Sequence, residues 1–312
     1  MFSLKDLKRR AAHKRDALMA SLERRRYPHL FRQILSADRA SQLLNELVSA
    51  GRPAAVGRMG RTEARILGEC QYRNRSYSRK NIKQAHVFAG IFPVDEEGLS
   101  AFSEVYLRGI ESLDVLAFWP TEYQARLANE LDPCPHLIER LDLEPFLSAN
   151  PWSRQLEGKK VLVVHPFKDS ILRQYHLSRQ KLFSDSQVLP DFDLEVIRAP
   201  QCVAGQTAGF SSWSEAFYWL KDQVKQADFD VAIIGCGAFG LPLAAACKAM
   251  GRIGLHTAGA TQLLFGINGD RWIKDPSYQH LFNDLWIRPD GAELLPVNTK
   301  SKVDEECYKD YF

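Results

Sequence analysis

Short apolar runs separated by helix-length segments constrain this chain more than any other feature. The runs are Ala54–Gly57, Asp114–Phe118, Val161–Val164, Leu194–Ile197, Val231–Ile234 and Ile253–Leu255. Each is too short for a helix and apolar almost throughout, which suits a strand covered on both faces. Helical patterns fill the intervals at Arg39–Ala50, from Ala64 onward, and at Leu99–Ile110, Ser170–Phe183, Ser212–Gln226 and Leu241–Met250. Such links are long enough to carry the chain back to a parallel neighbour. The expectation is a mostly parallel, Rossmann-like α/β sheet with helices on both faces. Ser36 is the expected cap of the first of these helices and Gly51-Arg52-Pro53 its terminator.

At 312 residues, with 45% hydrophobic and 25% charged residues, the chain is neither disordered nor fibrous. No apolar stretch has the length of a membrane span. Cys70, Cys134, Cys202, Cys236, Cys247 and Cys307 form no CxxC pair, which argues for a reduced, cytoplasmic setting and against a zinc site. Charge is unevenly distributed. Residues 1–33 carry ten Lys/Arg against three acids, so the remainder is net acidic. The expected division is a basic helical arm over 1–35 and an α/β domain over 36–312, with a Pro-marked crossing near 131–152 as the seam between two halves. The arm can lie on an anionic membrane surface, or pack on the body or on a second copy of the chain. Nucleic acid is not expected as a partner, because the body is not basic.

Several places can carry chemistry. Asp230 to Gly240 reads as strand, glycine turn and helix, with Gly235, Gly237 and Gly240 spaced as GxGxxG. Such a turn brings backbone N–H groups to a phosphate, or lets a helix pack closely on a strand. No acid lies between Asp230 and Asp270, so the ribose partner of a nicotinamide or methyl-donor site is missing. Gly57-Arg58-Met59-Gly60-Arg61-Thr62-Glu63-Ala64-Arg65 compresses glycines, arginines and one glutamate between strand and helix. Arg58 and Arg65 can hold a diphosphate. Glu63 can take a proton or bind a metal, or it is placed there by the helix dipole alone. His165-Pro166-Phe167-Lys168 ends a strand where open α/β sheets bind ligands. His256 to Gln262 and then Arg271-Trp272 form a loop expected to close over a sugar, with Trp272 as a stacking platform. Trp213 and Glu215 are expected on the same rim.

These motifs resemble a family. Arg58-Met59-Gly60-Arg61-Thr62-Glu63 is similar to the Arg-x-Gly-Asp-Gly-Glu segment of the GT-D glycosyltransferases. The Gly235 turn through Gly259 is similar to that family's closing glycine turn and strand, and the likeness covers residues 40–300. The resemblance implies transfer of a sugar from a nucleoside-diphosphate donor, a UDP-sugar, to a bacterial surface-glycan acceptor such as capsule or O-antigen. The acceptor can be lipid-linked, at the inner face of the cell membrane. The family's Asp, two residues before the glutamate, is Arg61 here. Arginine can therefore neutralise the leaving diphosphate in place of manganese or magnesium. On this basis Arg58, Arg61 and Arg65 hold phosphate charge, helped by Gly57, Gly60, Lys168, Gly235, Gly237, Gly240, His256, Gln262 and Arg271. Glu63 is the base or a residual metal ligand, and His165, Glu215 and His256 are further candidates for proton transfer. The alternatives are a non-catalytic partner in glycan assembly and a nucleotide-binding oxidoreductase.

Overall fold

In the computed structural model, residues 18–295 are described. The lysine- and arginine-rich start of the arm, residues 1–17, lies outside them, as does Cys307. The sheet has seven strands, all parallel: β1 (Ala54–Gly57), β2 (Val115–Phe118), β3 (His136–Glu139), β4 (Lys160–His165), β5 (Asp193–Arg198), β6 (Val231–Ile234) and β7 (Ile253–His256). Their order is β3-β2-β1-β7-β6-β4-β5. The longer helices are α1 (Ala37–Ala50), α2 (Arg61–Tyr72), α3 (Glu96–Glu111), α4 (Lys168–Leu182), α5 (Trp213–Gln226) and α6 (Gly240–Ala249).

Alternation along the strands sorts the apolar side chains into two cores. One face carries Ala55, Leu116, Val164 and Ile234 beneath α2, α3, α5 and α6. The other carries Val56, Val115, Val163 and Ile233 beneath α1 and α4. Right-handed crossovers explain the split. Connections that move along the sheet toward β3 travel over the first face, and those that move toward β5 travel over the second. Helices α4 and α6, which follow β4 and β6, therefore leave adjacent strands on opposite sides. Their divergence opens a crevice at the carboxyl ends of the sheet.

Two local expectations change. The Pro-marked crossing holds an unexpected short edge strand, β3, which leaves little pattern in the sequence because only Leu137 and Ile138 of its four residues are apolar and buried. The 131–152 crossing contains this strand and then runs to β4, and the sheet is continuous on either side. Ser36 stands at the N-cap of α1 but its hydroxyl makes no capping hydrogen bond, while Gly51 ends the helix in the left-handed region at φ 65°. The last residues of the arm pack on the body, one of the placements expected for it. Leu30 is buried, Phe31 packs edge-on against Phe118 (5.4 Å), and the Leu35 N–H donates to the Leu137 carbonyl (2.8 Å). No helix of the described residues is long and apolar enough to cross a membrane.

Candidate functional site

The crevice is a cavity of about 570 Å³ that gathers the ends of four adjacent strands. Arg58 follows β1, His165 ends β4, Gly235 to Gly237 follow β6, and His256 ends β7. Residues scattered over the sequence thus meet because parallel strands bring all their carboxyl ends to one edge.

The three glycines of the turn have different jobs. A Cβ on Gly235 would lie 2.5 Å from Thr261 Oγ1, and one on Gly240 would lie 2.1 Å from His256 Nδ1. Their N–H groups donate to Val164 and Gly237 carbonyls. These two are packing glycines and not phosphate donors. Gly237 is exposed, holds φ +60°, and has nothing within 4 Å of where a Cβ would project. It alone of the three presents open backbone to the cleft. Gly57 lies beneath the floor, with a would-be Cβ 3.4 Å from His256 Cβ.

Both histidines are buried and fixed in opposite tautomers. The Phe167 N–H donates to His165 Nδ1 (3.0 Å), which leaves the proton of the neutral ring on Nε2. His256 Nδ1 lies 3.2 Å from the Ile234 carbonyl and must carry its proton there, leaving a lone pair on Nε2. Burial lowers both pKa values to about 3, and Arg58 adds to the effect on His256. Both rings are therefore neutral at physiological pH.

Glu63, at the third position of α2, folds back over Gly60. A Cβ on Gly60 would lie 2.0 Å from its Oε2. Burial raises its pKa, opposed by a hydrogen bond from its own backbone N–H. Three arginines stand near Glu63 in sequence, but they diverge from it in space and none offsets the effect of burial. Arg58 Nη1 donates to Glu144 (3.3 Å), Arg61 lies over the Trp119 ring (4.9 Å), and Arg65 reaches Glu122 (3.2 Å) and Gln84 (3.0 Å) away from the cleft. Tyr106 of α3 is buried close enough for the Glu63 charge to raise its pKa further, beyond the main effect of burial.

Other expected residues also fall outside the cleft. Glu215 is exposed and accepts from Ser211 Oγ (2.5 Å) and Ser211 N–H (2.7 Å) at the start of α5, interactions that lower its pKa. Trp213 is core, stacked between Phe217 (5.4 Å) and Phe239 (5.2 Å) beneath the glycine turn. Gln262 is fully buried and donates to the Ile267 carbonyl (3.1 Å), which closes its loop. Lys168 starts α4, but the N-terminus of that helix is filled from within. Glu293 accepts from Asp169 N–H (2.7 Å), Ser170 N–H (3.2 Å) and Ser170 Oγ (2.5 Å). A negative group is favoured at this place, and here the chain supplies it. Glu293→Ala should cost about 1–3 kcal/mol by orphaning these donors. Equal thermal unfolding of mutant and wild type would show that the contact holds nothing.

The cleft also contains residues that no motif announced. Arg140 and Glu144 come from the Pro-marked crossing, and Tyr278 from a short helix near the end of the described chain. Arg140 shares Glu144 Oε1 with Arg58 (3.3 Å each), and Tyr278 donates to Oε2 (2.8 Å). Arg271 lines the mouth and lies over Trp272 (4.0 Å), which covers one face of the expected stacking platform. Burial pushes the Arg58 pKa down to about 10 against the pull of Glu144, and the neighbouring Arg140 and Arg271 push the same way. The Cys202 thiol in the wall is pushed up to about 12 and Cys236 higher, both by burial, so neither is a thiolate at neutral pH.

Among the described residues no three His, Cys, Asp or Glu converge as a metal site. Glu144 is committed to two arginines and Tyr278, and Asp275 accepts from Ser277 N–H (3.0 Å). The side chains present do not by themselves make a donor set for a divalent cation.

Comparison with known proteins finds no matching family model, no matching curated protein and no matching solved structure.

Proposed function

We propose that the chain is a glycosyltransferase that binds a nucleoside-diphosphate sugar in this cleft and passes the sugar to a glycan hydroxyl. The observation that supports this most is the meeting of Arg58, Arg140 and Arg271 with the open backbone of Gly237 in one cavity at the sheet's switch point. Cations and an approachable backbone suit a diphosphate, and the volume suits a nucleotide sugar. The sequence resemblance points to the same substrate class.

In this reading the acceptor hydroxyl attacks the anomeric carbon as its C–O bond to the diphosphate breaks. The hydroxyl proton passes to the Glu63 carboxylate, and the diphosphate leaves against the arginines. Glu63 is preferred as base over either histidine on physical grounds. Burial raises the acid and lowers the imidazoles, so the carboxylate is the more basic group here. His165 Nε2–H is then a hydrogen-bond donor and His256 Nε2 an acceptor, both of constant charge.

A second reading, a donor-binding partner without turnover, draws on Arg61 standing where the resembling family has an Asp. A thermal-shift panel of UDP-, GDP- and CMP-sugars, NAD and S-adenosylmethionine, followed by assay of nucleotide release, tests both. A UDP-sugar at a hundred times its Kd should add about 2.7 kcal/mol of stability, and nucleotide should then be released. Binding without release under any acceptor mixture supports the second reading. Stabilisation by NAD or S-adenosylmethionine alone would overturn both.

A further inference from the structure

The cluster around Glu144 is unbalanced as a structural ion pair. One carboxylate, 2% exposed, faces two guanidiniums through a single oxygen, each at 3.3 Å. The two donor nitrogens are therefore within about twice that distance of one another. Of five N–H donors on each guanidinium, Arg58 and Arg140 give one apiece to Glu144. One carboxylate balances one buried guanidinium, that of Arg58, and the second, on the one-third exposed Arg140, is turned to the cavity with its charge unmatched by Glu144. Arg271 brings a further positive charge to the same cavity. Tyr278, on the other carboxylate oxygen, stops Glu144 from turning to face either arginine alone.

We propose that Arg58, Arg140 and Arg271 form a diphosphate subsite, and that Glu144 is the positioning residue that sets the first two. Its carboxylate aligns both forks on one oxygen and balances only one of their two charges, which leaves room for an anionic phosphate to complete the pair. The assignment deepens the nucleoside-diphosphate reading and rests on it for the rest of the ligand. It also gives Glu144 an unusual signature. The residue carries the same sign of charge as the ligand, so its shape helps binding while its charge opposes it.

Inorganic pyrophosphate, titrated calorimetrically against the full chain, tests the subsite without turnover. Wild type should bind it, with affinity falling as salt rises. Arg140→Ala should bind at least about tenfold more weakly with little change in unfolding temperature, because this arginine is one-third exposed. Glu144→Ala should also weaken binding about tenfold. Glu144→Gln should bind as well as wild type or better, because the amide oxygen still accepts from the guanidiniums while the opposing charge is gone. Unchanged affinity in Arg140→Ala would overturn the subsite. Equal weakening by Ala and Gln at position 144 would overturn the positioning role. If Glu144→Ala does not fold, the comparison of Arg140→Lys with Arg140→Ala decides, since lysine restores charge without the fork. Pyrophosphate binding with no response to any nucleotide sugar would leave the subsite standing and sink the glycosyltransferase reading. Nucleotide-sugar binding without pyrophosphate binding would do the reverse.

Discussion

Glu63→Gln should lose about 10²-fold or more in the rate of sugar transfer, the usual scale for a general base, while becoming more stable than wild type at neutral pH. The second half follows from burial. Folding raises the pKa of this carboxyl above 4.5, so the folded chain holds its proton to higher pH than the unfolded chain does. Between the unfolded value and the raised folded one, the folded state binds more protons, and stability falls as pH rises. Above the folded value the whole penalty is present. Glutamine has no such penalty, so its advantage should be absent below pH 4 and should grow as pH rises past 4.5. Thermal unfolding across pH, set beside transfer rates, checks both halves. A mutant that turns over at the wild-type rate would reduce Glu63 to a residue that merely starts its helix. A mutant less stable than wild type at pH 7 would show that the buried carboxylate is compensated by something else.

Gly240→Ala and Gly237→Asn should fail in opposite ways, although the two positions are three residues apart in one turn. A Cβ at position 240 would meet His256 Nδ1 at 2.1 Å. The ring must leave the Ile234 carbonyl or α6 must shift, which costs about 1–3 kcal/mol as overpacking and displaces His256 from the cleft. Unfolding temperature and activity should fall together. At Gly237 the conformation is left-handed, φ +60°, with open space above it. Asparagine tolerates that conformation, so the fold should survive with a small loss of stability. Its side chain would enter the space that a phosphate needs, and donor affinity should drop about tenfold or more. Valine is a poorer probe here, because backbone strain in a β-branched residue would lower stability as well. Normal donor affinity in a folded Gly237→Asn protein would remove the turn from the binding site.

Local chemistry in the sequence carried much of the fold. Apolar runs such as Val231–Ile234 are too short and too uniformly buried to be anything but interior strands, and Gly51 stops a helix wherever its neighbours go. The same local logic located Arg58, His165, Gly237 and His256, because each lies just past a strand that could be recognised. It failed at β3, where an edge strand needs only two buried residues and so leaves little pattern. It also failed wherever direction mattered. Arg58, Arg61 and Arg65 are neighbours in sequence, yet Arg58 precedes α2, Arg61 opens it and Arg65 lies a full turn further along its axis. They therefore reach Glu144, Trp119 and Glu122, and Glu63 is left buried with no arginine beside it to offset burial. Glu215 reads as a rim residue because it opens the helix before β6, and Gln262 because it lies in the polar loop after β7, but a polar residue at such a place looks alike in a cap, a core and a cleft. Only packing separates these. Arg140, Glu144 and Tyr278 left no local signal at all, since the first two lie on the crossing from β3 to β4 and Tyr278 reaches them from a short helix (Pro276–Gln279) far along the chain. Sequence alone determined six of the seven strands and which residues stand at their ends. The order β3-β2-β1-β7-β6-β4-β5 decided which of those ends meet, because right-handed crossovers place α4 and α6 on opposite faces and open the sheet at that one place.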